Sequence, residues 1–132
     1  MTLTRYLNTD LDIESKTDLS ALTDDLSRRK WVVLHSGQHD DGIWRASFEH
    51  LWNSQAGPEQ AIAGMLDVLE HLPGHPKTIW TAGQKRDFNI GIQAEQRPHA
   101  FGQTLSNELL ARVASAGASI SITVYAAPGG PD

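Results

Sequence analysis

Two-faced strands constrain this chain more than any other feature. The first strand is expected over roughly Leu3 to Ile13. In YLNTDLDIES (Tyr6 to Ser15), Leu7, Thr9, Leu11 and Ile13 fall on one side, and Asn8, Asp10, Asp12 and Glu14 on the other. Alternation with a period of two marks a half-buried β-strand. The pattern returns in IWRASFEHL, where Trp44, Ala46 and Phe48 oppose Arg45, Ser47 and Glu49. It returns in KRDFNIGIQ, with Phe88, Ile90 and Ile92 against Asp87, Asn89 and Gly91, and in SISITVY, with Ile120, Ile122 and Val124 against Ser121, Thr123 and Tyr125. Strands buried on both faces read as continuous apolar runs, and these do not. The sheet must therefore be covered on one face and left open and polar on the other.

The segments between the strands supply the cover. Leu19, Leu22 and Leu26 repeat at three and four residues, which is one helical stripe. Thr17 or Asp18 can cap its start, and Arg28, Arg29 and Lys30 sit where the helix dipole favours cations. WVVLH reads as a short strand, and SGQHDDG as the turn of a hairpin leading into IWRASFEHL. Pro58 opens a second helix, with Ile62, Met65, Leu66 and Leu69 as its stripe and Pro73-Gly74 stopping it after Leu72. HPKTIWTAG fits either a helical turn or a short strand, with Ile79 and Trp80 packed inward. Ser106 is a good N-cap for a third helix, in which Leu105 and Leu110 can form a hydrophobic staple. Leu109, Leu110 and Val113 form its stripe, and Gly117 is a left-handed terminator. The expected fold is α+β: a two-layer sandwich of about five strands in one mixed or mainly antiparallel sheet, with helices on one face. Residues 1–126 form a single domain, and the proline- and glycine-rich APGGPD, residues 127–132, reads as a tail.

Composition then removes whole classes of function. With 132 residues the chain can bury a core of its own. It has no cysteine, so disulfides, thiolate metal sites and cysteine nucleophiles are excluded. The net charge of −5 argues against binding to a nucleic-acid backbone. No apolar run reaches the roughly 20 residues of a membrane helix, and MTLTRYLNTDLD has no signal-peptide core. A cytoplasmic location is expected, with no membrane partner. There is no phosphate loop, dinucleotide fingerprint, G-x-S-x-G elbow or H-E-x-x-H, and no motif calls for a cofactor.

What remains is a set of polar and aromatic candidates. Successive same-side residues on a strand lie about 6.5–7 Å apart, so Asp10 and Asp12 can raise each other's pKa or share a hard cation. Against that, an antiparallel sheet commonly leaves one polar face in water. Arg45, Glu49, Asp87 and Asn89 belong to the same expected face. His35, His39 and His50 cluster near the hairpin, but their spacing is not that of a zinc site. Of four tryptophans, Trp52 lies just beyond a strand, where an exposed indole would suit an interface. AEQRPHAFG reads as a loop carrying Arg97, His99 and Phe101, and Gly91 marks a bulge or a close approach within its strand.

LLARVASAGASISITVY, a helix stopped by glycine and followed by an alternating strand closing on tyrosine, resembles the C-terminus of a family of small uncharacterised bacterial α+β domains of unknown function. RYLNTDLDIES, followed by a leucine-striped helix, is similar to the same kind of protein. The resemblance implies the fold and carries over no catalytic residue. By size and class, an immunity-protein or adaptor role is the nearest analogy. The function expected from the sequence is thus non-enzymatic binding of a protein partner through Asp10, Asp12, Arg45, Trp52, Asp87, Asn89 and Arg97. The rival is a small metal-dependent enzyme or ligand binder using Asp10 and Asp12, with Asp87 or Glu49 completing the shell and a histidine acting as base. A third expectation is self-association through an exposed edge strand.

Overall fold

The computed structural model describes residues 2–50 and 56–127. Among the described residues five strands and four helices follow in the order β1 (Arg5–Ser15), α1 (Ser20–Arg28), β2 (Val32–Gln38), β3 (Trp44–Glu49), α2 (Pro58–Leu69), α3 (Gly74–Ala82), β4 (Lys85–Gln93), α4 (Asn107–Ser115) and β5 (Ser119–Tyr125). The strands form one sheet in the order β2-β3-β1-β4-β5. Only β4 and β5 run parallel, because α4 lies between them as a crossover. All other pairs are antiparallel, so the sheet is mixed and the fold is the expected two-layer α+β sandwich.

The core lies between the sheet and the helices. Leu11, Ile13, Phe48, Phe88 and Ile90 project from the strands onto Leu22, Leu26, Ile62, Met65, Leu66, Leu69, Leu109 and Val113 from the helices. Each such side chain contributes about 1.5–3 kcal/mol on full burial. Helix ends follow local chemistry. Asp18 Oδ1 accepts from the Ser20 amide at 2.8 Å, leading the chain into α1. Pro58 stands at the first position of α2. Ser106 caps α4 by accepting from the Leu109 amide, and Gly117, at φ +68°, turns the chain so that the Ala118 amide reaches the Val113 carbonyl.

Several expectations needed correction. Ser36, Gly37 and Gln38 are strand residues paired with β3, and only His39–Gly42 turns. The polar letters of SGQHDDG misled because an edge strand tolerates polar and glycine residues. Residues 74–82 form a full helix, α3, which resolves the ambiguous HPKTIWTAG. α2 ends at Leu69, three residues early, and Leu72 is buried in the connection. A bulge between Tyr6 and Asn8 shifts the register of β1. Tyr6, rather than Leu7, therefore packs against the core, and its hydroxyl meets Thr9 Oγ1 at 2.7 Å. Leu110 is 46% exposed and leaves the α4 stripe to Leu109 and Val113.

Candidate functional site

The register places the expected polar residues in rows across the open face. In the first row Glu14 of β1 lies between Arg45 of β3 and Lys85 of β4, with ion pairs of 3.6 and 3.7 Å. Arg45 also holds Asp41 at 2.9 Å, and that hydrogen bond draws the Asp41 carboxyl down to about 2. In the second row Asp12 lies between Ser47 and Asp87. Ser47 Oγ donates to Asp12 at 2.8 Å, and Ser119 Oγ donates to Asp87 at 2.7 Å. In the third row Asp10 lies between Glu49 and Asn89. Thr123 Oγ1 donates to Asn89, while Asn8 Nδ2 reaches both Asp10 and Glu49, at 3.1 and 3.5 Å.

The charges on this face are unevenly distributed. Arg45 and Lys85 stand with Glu14 at one end, and Arg5, opposite Gln93, stands at the other. Asp10, Asp12, Glu49 and Asp87 share the middle, where hydroxyls and amides are the hydrogen-bonding partners. Burial, and then Glu49 and Asp12, push the Asp10 carboxyl up to about 6. Five expected site residues, Asp10, Asp12, Arg45, Asp87 and Asn89, are thereby brought onto one face of the sheet, with Asp87 buried there. Arg97 is elsewhere, in the loop after β4, where its carbonyl accepts from the Thr4 amide at 2.6 Å. Trp52 lies outside the described residues.

The histidines divide. His35 and His39 meet through their Nε2 atoms at 2.8 Å, whereas His50 packs on the Trp31 ring at 5.3 Å between centroids. Among the described residues no group of three or more His, Cys, Asp or Glu is placed to hold a metal ion. No helix among them is long and apolar enough to cross a membrane.

Gly91 marks a close approach, and the bulge belongs to the neighbouring strand rather than to its own. It lies across from the β1 bulge, and a Cβ there would sit 2.8 Å from Asn8 Oδ1. Close packing at Gly91 thus holds in place the amide that bonds Asp10 and Glu49.

The sheet edges differ in kind. β2 is interrupted by a bulge between Val33 and His35 and carries a glycine, both of which blunt an edge. β5 runs against β4 from Ser119 to Tyr125 without a register break and holds no charge, proline or glycine. Ile122 and Val124 pair with Ile90 and Ile92 and so point to the helix side, as expected. They are nevertheless 64% and 59% exposed, because β5 is the outermost strand while α1 and α2 pack on β2 and β1. Tyr125, on the other face, is 52% exposed. Alternation assigned these side chains to a face but not to the interior, since strand order is not written in the period of a strand. No family model, curated protein or solved structure matches the chain.

Proposed function

We propose that this chain is a non-enzymatic protein-binding domain that works through the outer edge of β5, which no strand among the described residues pairs with, and that its first occupant is β5 of a second copy. The observation carrying this reading is that edge: seven residues, regular, uncharged, with Ile122 and Val124 in water. Unguarded edges of this kind accept another strand.

The strand is also complementary to itself. In an antiparallel pairing centred on Ile122, Ile120 stands opposite Val124, Ser121 opposite Thr123, and Ser119 opposite Tyr125. Apolar side chains then meet on the helix side and hydroxyl-bearing ones on the open side, with no like charges apposed. Each such cross-strand pair contributes roughly 0.2–1 kcal/mol. The assembly would be a continuous sheet of ten strands, twice the five of one copy.

Substituting Ile122→Lys tests the reading. The charge should leave the fold intact, because the side chain is already exposed, and should return a dimer to monomer in sedimentation velocity. A variant that folds and sediments as the unsubstituted chain does would overturn it.

A second reading is favoured by the crowding of Asp10 between Glu49 and Asp12. An acidic centre with no cation beside it suits a basic protein surface, the arrangement an adaptor or an immunity-type inhibitor would use. In the β5-paired dimer both acidic centres would lie on the same side of the sheet.

A further inference from the structure

The C-terminal ends of α2, α3 and α4 surround one cleft of about 320 Å³. Its walls include Leu66, Leu69, Trp80 and Ala116, and two cations, Lys77 and Arg86, reach it. Lys77 is committed: its Nζ donates to the carbonyls of Leu69 and Glu70 at 3.2 and 3.0 Å, closing the end of α2. Glu70, also at the cleft, is committed to Arg112, at 2.6 Å.

Arg86 is not committed in the same way. It stands opposite Ile13, on the helix side of the sheet, where a charged residue is out of place. Its guanidinium lies 5.4 Å from the centre of the Trp80 ring and passes so close to Gly117 that a Cβ there would collide with Nη2. Of its five N–H groups, Nη1 donates to the Trp80 carbonyl at 3.3 Å, while Nε is buried without a partner. Among the described residues it has no carboxylate partner. Partial burial draws its pKa down. Buried donors are normally paired.

We infer that this cleft binds a small carboxylic acid with an apolar body, its carboxylate on the Arg86 guanidinium and its body against Trp80, Leu66 and Leu69. The planar fork of a guanidinium matches a carboxylate in two parallel hydrogen bonds. Local charge favours a monoanion over a phosphate. Three helix ends carry roughly half a negative charge each, and Arg112 offsets Glu70, so Lys77 and Arg86 leave only a small positive surplus. The volume is at the lower end of ligand sites, which span about 300–1,000 Å³.

The test is an NMR titration of the whole chain with benzoate, its neutral isostere benzamide, and phenyl phosphate. Benzoate should shift the Arg86 Nε and the Gly83 and Gly117 amide signals saturably, and benzamide at equal concentration should not. Arg86→Gln should weaken benzoate at least about tenfold, the loss expected for charge-assisted hydrogen bonds. No benzoate response, or an equal response to benzamide, would overturn the inference. Tighter binding of phenyl phosphate would overturn the carboxylate assignment. Should Arg86→Gln fail to fold, the benzoate–benzamide comparison on the unsubstituted chain still decides.

Discussion

Replacing Asp10 by asparagine should stabilise this protein, and only above the pH at which an aspartate in the unfolded chain ionises. The folded chain holds the Asp10 proton up to about pH 6, against an ordinary carboxyl value of 3.8. Between those values the folded state binds more protons than the unfolded one, so the Asp10 contribution to stability falls as pH rises through that window. At about 1.36 kcal/mol per pH unit the full effect is about 3 kcal/mol. The carboxyl is only partly buried, and screening by water reduces this to about 1–1.5 kcal/mol. Asparagine keeps an oxygen to accept from Asn8 and loses the charge. In thermal melts followed by circular dichroism, Asp10→Asn should gain roughly 3–6 °C at about pH 7.5 and almost nothing at about pH 4. Because burial is a larger cause than Glu49, about 1 M salt should remove only part of the gain. A loss of stability at neutral pH, or a gain independent of pH, would refute the reasoning.

Two other substitutions probe local claims, both read by chemical denaturation. Ser106→Ala removes the oxygen that accepts from the Leu109 amide and should cost about 1 kcal/mol; an unchanged midpoint would mean that the cap contributes nothing. Gly91→Ala forces a methyl group against Asn8 Oδ1 and should cost about 1–3 kcal/mol. It should also disturb the Asn8 contacts to Asp10 and Glu49, so its cost should shrink in the Asp10→Asn background.

Much of the fold was legible because periodicity reports which face of an element is apolar. The pairing of Leu11 and Ile13 with the core, the order of elements, the Ser106 cap and the Gly117 terminator all follow from residues a few positions apart. The errors share a different cause. Ser36–Gln38 extend β2 because β3 pairs with them, and that pairing outweighs their polar letters. Tyr6 replaces Leu7 in the core because a bulge resets the alternation. Ile122 and Val124 are exposed because β5 is outermost, a property of strand order. The site divides along the same line. Asp10, Asp12, Asp87 and Asn89 could be grouped on one face from alternation. That Asp10 faces Glu49, and that Arg86 lies among three helix ends, required register and packing.

Self-pairing through β5 is tested most directly by sedimentation equilibrium of the unsubstituted chain over a wide concentration range. The account predicts a reversible monomer–dimer equilibrium, with the dimer growing as concentration rises and no larger species, because an antiparallel pairing of two edges is closed. A monomer at every concentration would contradict it, as would open-ended growth beyond two copies.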